Sequence, residues 1–379
     1  MGLARTFSAV VMGVRAQIVE VEADLSQGLP GLSIVGLPDT ALNEARDRVR
    51  AAVVNSGLKW PNVKITVSLS PAWLPKRGSG LDLAIALAIL AADAQLPVQE
   101  VGKLLSLGEL GLDGRVRPAP GALATALALR RSNSPVPSAI AAGSSDCVCL
   151  RAVPGLDVVE APSLRALAAR LLGEQESDVG EDSPVPTFAS TDTPRDACAF
   201  KDMSDVKGQP HAKRALEIAA AGGHHVALLG RAGVGKTLLA ERLPGILPDL
   251  DDEQALEVTS IHQLSGRDGG VSVGLARNPP WFAPHHTASR AAMVGGGSDN
   301  RPSIGMVSLA HHGVLFLDEA AEFEPGVLDA LREPLESGNV TIARAGFQIS
   351  VPAAFQLLLA TNPCPCGNAL DTHRGAVCR

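Results

Sequence analysis

Eight consecutive residues have the types and spacing of a phosphate-binding loop, G-x-x-x-x-G-K-[ST]. They are Gly230, Arg231, Ala232, Gly233, Val234, Gly235, Lys236 and Thr237. Glycines allow the backbone to approach phosphate oxygens closely, with its N–H groups pointing inward. Lys236 supplies a point charge for the β- and γ-phosphates. The loop therefore predicts that the chain binds a nucleoside triphosphate, with ATP as the expected ligand.

Two further apolar runs end in polar residues, and these runs span residues 314–317 and 357–360. Asp318 and Glu319 follow the first run directly. Asp318 is predicted to hold Mg²⁺ beside the hydroxyl of Thr237, and Glu319 to orient and polarise the attacking water. Asn362, just beyond the second run, is predicted to read the γ-phosphate or to position that water. Taken alone, Asn362 fits better as a turn residue before Pro363, and it is the order and context of the three elements that favour the role in the site.

The hydrophobic periodicity divides the chain into three parts. Residues 1–172 predict a mixed α/β domain, with strands at 16–23, 32–35 and 63–69 and helices starting near residue 38 and spanning 81–92 and 122–131. Residues 173–200 are acidic and proline-bearing, which is typical of a flexible linker. Residues 201–379 predict a helix at 209–221 and strands at 226–229, 314–317 and 355–360. Strands separated by helices predict a parallel sheet with ligands at its carboxyl ends.

Composition and charge exclude several classes of protein. The formal net charge of −7 argues against a broadly basic coat for nucleic acid, although it leaves room for a local basic channel. The longest apolar stretch, residues 83–92, is too short to span a bilayer, and the first residues do not have the pattern of a secretory leader. We therefore expect a cytoplasmic protein with no membrane partner.

Cysteines and histidines offer weaker signals. Cys147 and Cys149 have the period-two spacing of one face of a strand, where they are expected to be buried, reduced thiols. Three histidine pairs, at 224–225, 285–286 and 311–312, invite a metal hypothesis. Neighbouring side chains on a strand point to opposite faces, so polar loop contacts are the favoured interpretation. Cys364, Cys366 and Cys378 resemble three ligands of a four-cysteine zinc cluster, and three ligands disfavour a stable structural site.

Several longer strings resemble the ComM/YifB branch of the magnesium-chelatase-like AAA+ ATPases, over nearly the whole chain. The strings that carry the resemblance are at 36–39, 46–50, 205–209, 283–287, 294–298, 308–311, 331–336 and 361–367. The resemblance implies a hexameric ring that hydrolyses ATP and moves branched DNA, linked to natural transformation. It also implies that residues 1–172 are similar to the proteolytic domain of Lon.

The resemblance places a DNA-facing insertion in the glycine-rich interval 262–300. Arg267 and Arg290 lie in this interval and are the candidate contacts to DNA phosphates, with a solvated loop as the equal alternative. A helical lid and a further arginine follow the core in the family, and we expect both to lie beyond residue 379. Because Arg332 and Arg344 do not stand where that arginine is expected, turnover by this chain alone is uncertain.

The likeness to Lon raises the alternative that the first domain is a peptidase. Ser79 stands near the position of the Lon nucleophile, but the residues that follow Pro118 contain no lysine to act as its base. Ser79 is therefore expected to be a turn or cap residue, and the domain a binding or scaffold module.

The predicted fold is an N-terminal Lon-domain-like α/β module, followed by a P-loop AAA+ parallel-sheet core with no helical lid. The predicted function is an ATP-binding, ring-forming DNA motor. A chelatase-type or chaperone-type remodeller, and a nucleotide-binding protein with little turnover, remain as alternatives.

Overall fold

The computed structural model describes residues 2–36, 40–76, 78–132, 136–174, 201–265, 275–298, 301–344 and 347–364. They divide into two compact units: the first contains the described residues up to 174 together with Leu275, and the second contains residues 201–265 and those from 276 onwards. Arg267, Cys366, Cys378 and most of the predicted linker lie outside the described residues. Within the described ranges, no helix is both long enough and apolar enough to cross a membrane.

The first unit combines one large sheet with helices. Its strands are β1 (Leu3–Met12), β2 (Arg15–Ser26), β3 (Gly31–Val35), β4 (Lys64–Ser70), β5 (Leu104–Ser106), β6 (Glu109–Leu110), β7 (Val116–Arg117), β8 (Ala139–Ala142) and β9 (Asp157–Glu160). Its helices are α1 (Thr40–Asn55), α2 (Asp82–Ala92), α3 (Val98–Val101), α4 (Ala122–Arg131), α5 (Ser144–Leu150) and α6 (Leu164–Leu172).

The large sheet has the strand order β3-β4-β2-β1-β5-β8-β9. β1 and β2 form an antiparallel hairpin, and Gly13 supplies the positive φ of 65° that its tight turn requires. β1, β5, β8 and β9 pair in parallel in this order, whereas β6 and β7 form a separate antiparallel pair. Strands β2, β3 and β4 were predicted from the sequence, and β1 was not.

A fully apolar helix forms the centre of the first unit. Every residue of α2 is buried, and the helix contacts both β1 and β2. β2 alternates, so that Val19, Val21, Ala23 and Leu25 are buried on one face. This burial explains why the run predicted as a helix at 81–92 has no polar face.

A partly buried ion pair connects α1 to the start of α2. Arg48 donates from Nε to Asp82 Oδ2 at 2.8 Å and from a terminal nitrogen to Oδ1 at 3.2 Å. The Asp82 carboxylate is fully buried, and desolvation raises its pKa to about 6 despite the guanidinium beside it. Arg48 belongs to the string 46–50, so part of that string has a structural role.

The prediction of a strand around Cys147 and Cys149 is wrong, because both residues lie in α5. Both thiols are nevertheless buried and reduced, as expected. Burial raises the pKa of Cys147 to about 11, and its Sγ lies 3.4 Å from the carbonyl oxygen of Ala142. Period-two spacing did not distinguish a strand from a short helix that is buried on two sides.

Asp146 provides a pH-dependent test of the first unit. Its carboxylate accepts a hydrogen bond from Ala119 N at 3.1 Å, and desolvation raises its pKa from 3.8 to about 6. Because the folded pKa lies above the unfolded one, Asp146 favours folding below pH 4 and loses that contribution as pH rises towards 6. The difference between the folded and unfolded pKa values corresponds to roughly 3 kcal/mol of unfolding free energy.

We therefore expect Asp146→Asn to match the wild type near pH 4 and to be more stable than it above pH 6.5. Urea unfolding of both proteins across this pH range measures the difference. Parallel stability curves at all pH values would contradict the raised pKa of Asp146.

The second unit contains a smaller sheet and several short helices. Its strands are β10 (Val226–Leu229), β11 (Trp281–Phe282), β12 (Gly295–Ser298), β13 (Arg301–Ile304), β14 (Val314–Leu317), β15 (Asn339–Arg344), β16 (Phe347–Pro352) and β17 (Gln356–Thr361). Its helices are α7 (Pro210–Gly222), α8 (Lys236–Ala240), α9 (Asp252–Ser265), α10 (Arg290–Val294), α11 (Met306–Leu309), α12 (Pro325–Asp329) and α13 (Arg332–Ser337).

The main sheet of the second unit is parallel throughout, with the order β10-β17-β14-β11. β14 is buried along its whole length, and Phe316 stacks on Trp281 with ring centroids 5.3 Å apart. The predicted parallel sheet is confirmed. Two antiparallel hairpins, β12–β13 and β15–β16, were not predicted.

Candidate functional site: a phosphate-binding loop between parallel strands

The predicted phosphate-binding loop leaves β10 at its carboxyl end and enters α8. Gly233 and Gly235 have φ angles of 78° and 92°, a region that favours glycine, so the loop can turn tightly before the helix begins at Lys236. A Cβ on Gly230 would lie 3.0 Å from Val234, closer than side chains normally pack. The sequence therefore produces the strand–turn–helix geometry that phosphate binding requires.

The sheet brings the ends of the two apolar strands beside this loop. β17 lies between β10 and β14, and Gly230 donates a backbone hydrogen bond to Thr361 at 3.3 Å. Parallel strands place their carboxyl ends at one edge. Asp318 and Asn362 are consequently near neighbours of the loop, although they are 81 and 126 residues from their partners in the chain.

Asp318 contacts the hydroxyl of the loop directly. Thr237 Oγ1 donates to Asp318 Oδ2 at 2.7 Å, and the other carboxylate oxygen of Asp318 accepts from Glu319 N at 3.0 Å. A hydroxyl and a carboxylate are the hard oxygen donors that Mg²⁺ prefers. These two side chains fit the predicted magnesium site.

Lys236 has three oxygen partners around its amine. Nζ donates to the carbonyl oxygens of Gly230 and Arg231 at 2.7 and 3.0 Å, and to Asn362 Oδ1 at 2.9 Å. The ammonium has three donors, and these contacts use all of them. The amine is therefore held over the loop, where phosphate oxygens can exchange with neutral carbonyl and amide partners.

Glu319 is the most exposed of the predicted catalytic groups. Its φ of 52° lies in the left-handed region, which is uncommon for a residue with a side chain. His286 Nδ1 lies 3.5 Å from Glu319 Oε2 and 3.8 Å from Glu322 Oε2. This histidine–carboxylate cluster was not predicted from the sequence, because 33 residues separate His286 from Glu319 in the chain.

Of the two candidate DNA contacts, Arg290 lies within the described residues and Arg267 does not. Arg290 is exposed and begins α10, which Ser289 caps by accepting from Ala292 N at 3.2 Å. Arg267 lies outside the described residues. Arg332 forms an exposed ion pair with Asp329 at 3.1 Å, on the surface of the second unit.

The pair His311 and His312 binds a carboxylate. Both Nε2 atoms lie 3.3 Å from Glu257 Oε2, and these hydrogen bonds lower the pKa of Glu257. His311 Nδ1 accepts from Ala354 N at 3.0 Å, so its proton is on Nε2, which is then a donor rather than a metal ligand. His312 has a φ of 56°, which explains how neighbouring rings reach one carboxylate instead of opposite faces.

Ser79 of the first unit donates its hydroxyl proton to Glu109, and its carbonyl accepts from Asp82 N at 3.1 Å. Lys76 is fully buried, which lowers its pKa, and its amine donates to the carbonyl of Pro71. These contacts describe a hydrogen-bonded turn at the start of α2. They agree with the interpretation of Ser79 as a turn or cap residue.

Comparisons with known proteins fit this geometry. Residues 202–379 match the family model described as magnesium chelatase, subunit ChlI, and residues 21–137 match the model of subunit ChlI of Mg-chelatase. The chain is 44% identical over 373 residues to the uncharacterized protein YifB of Escherichia coli, covering 98% of this chain and 70% of YifB. It is 42% identical over 377 residues to competence protein ComM of Haemophilus influenzae, covering 98% of this chain and 71% of ComM.

The chain belongs to the ComM/YifB family of magnesium-chelatase-like proteins. An uncharacterized protein of Mycobacterium tuberculosis is 48% identical over 371 residues, covering 97% of this chain and 71% of that protein. The resemblance predicted from the strings is confirmed. The second unit of this ComM/YifB member is accordingly a P-loop AAA+ core, in which the four-stranded parallel sheet positions the loop 230–237.

Proposed function

We propose that this ComM/YifB member binds Mg-ATP at the loop 230–237 and hydrolyses it. The observation that supports the proposal is the convergence of Lys236, Thr237, Asp318 and Asn362 at one edge of a parallel sheet. Each of them offers the group that a triphosphate or its metal requires. Thr237 and Asp318 would hold Mg²⁺, which neutralises phosphate charge when it is bound.

Hydrolysis in this site requires an activated water. The water oxygen forms a bond to the γ-phosphorus, the bond between this phosphorus and the β–γ bridging oxygen breaks, and ADP leaves with those electrons. Glu319 accepts the proton that the water loses. Lys236 and Asn362 lie at the edge where the γ-phosphate is expected and would orient it.

We further propose that the protein works as a cytoplasmic ring, expected to be hexameric, that moves branched or single-stranded DNA. An arginine from a neighbouring subunit can raise the rate of phosphoryl transfer by about 10³–10⁵-fold, so oligomerisation would complete the catalytic site. The name of the Haemophilus influenzae relative links that protein to competence. Arg290, exposed at the start of α10, and Arg267 are the proposed phosphate contacts.

A chelatase-type remodeller is the second candidate, because both matched family models describe a magnesium-chelatase subunit. ATP turnover by the purified protein should be measured without any addition and with each of four additions: branched DNA, single-stranded DNA, an unfolded protein or a magnesium-free porphyrin. The DNA-motor proposal expects stimulation by DNA. Stimulation by the porphyrin or the unfolded protein alone would instead support a remodeller.

Arg290 gives a direct test of the DNA contact. Removing one phosphate contact lowers the salt slope of the DNA association constant by about 1, and it weakens binding similarly for different sequences. We expect Arg290→Ala to have this effect in anisotropy titrations over a range of salt concentrations. Arg214→Ala removes another exposed positive charge, from α7, and should leave the salt slope unchanged. Equal slopes for both variants and the wild type would remove Arg290 from the interface.

A further inference from the structure

A glutamine at the start of α7 contacts the outside of the phosphate-binding loop. Gln209 is the last residue of the string 205–209, and its Nε2 donates to the carbonyl oxygen of Val234 at 3.1 Å. The φ of Gln209 is 55°, a left-handed conformation that few residues with side chains adopt. Such conformations persist where the surrounding structure fixes them, and they concentrate at functional sites.

This hydrogen bond fixes the direction in which one peptide group of the loop faces. The peptide between Val234 and Gly235 is trans, and in a trans peptide the carbonyl and the N–H point in opposite directions. Because the carbonyl of Val234 points towards Gln209, the N–H of Gly235 faces away from Gln209. Backbone N–H groups are the donors with which such loops bind phosphate oxygens.

Without the contact, the same peptide can turn over at low steric cost. Gly235 has a φ of 92° and no Cβ, so rotation of the peptide that precedes it meets little resistance. A turned peptide would present the carbonyl oxygen of Val234 where the N–H of Gly235 had been. A donor to phosphate would then be replaced by an oxygen that repels phosphate.

Gln209 is attached to a packed part of the second unit. Its carbonyl oxygen accepts from Lys213 N at 3.0 Å, which begins the hydrogen bonding of α7. Leu216 of this helix is buried in the same core as Leu239 of α8, the helix that follows the loop. The side chain of Gln209 therefore reaches Val234 from a support that is packed against the loop's own helix.

The segment before Gln209 is joined to the same helix. The side chain of Arg242, two residues beyond α8, is buried and donates to the carbonyl oxygens of Asp202 and Leu238 at 3.0 and 2.7 Å. It also donates to Asp205 Oδ2 at 3.3 Å. Both sides of Gln209 are consequently held against the element that the loop enters.

We propose that Gln209 is a positioning residue of the ATP site, which holds the peptide between Val234 and Gly235 with its N–H directed at the phosphates. This inference rests on the proposed function, because the orientation matters only if the loop binds a nucleotide. Gln209 itself contacts neither the nucleotide nor the attacking water. It acts on phosphate affinity through the carbonyl of Val234.

The experiment compares Gln209→Met with the wild type in the full chain. Methionine is about as long as glutamine but has no N–H to donate. Affinity for a non-hydrolysable ATP analogue, measured by calorimetry, is expected to fall about two- to ten-fold, the factor that one neutral hydrogen bond contributes. The amide resonance of Gly235 should shift on binding in the wild type and shift less in the variant. Unchanged affinity together with an unchanged shift would overturn the proposal.

Gln254→Met is the matched control. Gln254 lies in the same unit, and its Oε1 accepts from Asp251 N at 3.1 Å at the start of α9, outside the phosphate-binding loop. The same exchange of side chains is made there, so analogue affinity and the shift of Gly235 should equal those of the wild type. An equal loss of affinity in both variants would show a general effect on the fold and would contradict a specific role for Gln209.

A measurement without nucleotide separates this inference from the proposed function. Labelling valine carbonyls with ¹³C and glycine nitrogens with ¹⁵N selects the six Val–Gly pairs of the sequence, of which 234–235 is one. Loss of a hydrogen bond moves a carbonyl resonance, so Gln209→Met should shift the Val234 signal in the free protein. An unshifted signal overturns the inference even if the wild type binds ATP. A shifted signal in a protein that binds no nucleotide overturns the proposed function, and with it the effect of Gln209 on phosphate affinity.

Discussion

Replacing Glu319 with Gln is expected to lower ATP turnover by about 10²–10⁴-fold, the usual contribution of a general base. The amide has nearly the same shape as the carboxylate but cannot accept the proton of the attacking water. Mg-ATP binding should persist, because Lys236, Thr237 and Asp318 contact each other or Asn362 without involving the side chain of Glu319. Turnover is measured by phosphate release, and binding with a fluorescent ATP analogue.

The control for this prediction is Glu324→Gln, which removes an exposed carboxylate five residues further along the same loop. Its turnover should equal that of the wild type. If Glu319→Gln hydrolyses ATP at the wild-type rate, another group activates the water, and the role assigned to Glu319 is wrong.

Replacing Lys236 with Ala is expected to weaken ATP binding by about ten- to a hundred-fold. Hydrogen bonds that involve a charged group contribute roughly 1.5–3 kcal/mol, and each 1.4 kcal/mol is a factor of ten in affinity. Three oxygen atoms already hold the amine of Lys236 over the loop, so its interaction with phosphate requires little rearrangement. Titration calorimetry with a non-hydrolysable analogue measures the loss.

Lys201→Ala is the matched variant for Lys236→Ala. Lys201 forms an exposed ion pair with Glu241 at 2.5 Å, in the same unit but outside the loop. Its removal lowers the positive charge equally and should leave ATP affinity unchanged. Equal affinities for the two variants would mean that Lys236 does not contact phosphate.

The parts of the fold that were predictable share a strong local pattern. The run 314–317 is apolar at every position and became β14 with the predicted bounds, and residues 122–131 became α4. Strand β1 was not predicted although it is ten residues long. Its formation depends on pairing with β2, and the sequence of β1 alone does not show that pairing. The strand predicted at Cys147 and Cys149 was wrong because two-residue spacing is informative only over a longer stretch.

The phosphate-binding loop was predictable because its function depends on contiguous residues. The loop and the carboxylate of Asp318 each lie directly after an apolar strand. Sequence patterns identify such strands well, and the carboxyl ends of parallel strands meet at one edge of the sheet. The contacts of His286 with Glu319 and of Glu257 with His311 join distant segments. No periodicity reports such a contact, and only the three-dimensional arrangement of β11 beside β14 reveals the first of them.

The most direct test of the account is calorimetric titration of a non-hydrolysable ATP analogue into the purified chain, with Mg²⁺ and then with EDTA. We predict one site per chain, with affinity that falls when Mg²⁺ is removed. Asp318→Asn should lose most of this dependence on Mg²⁺, because it removes the charged oxygen that contacts Thr237. A folded wild-type protein that binds no nucleotide, or binds it equally well in EDTA, would contradict the assignment of the site.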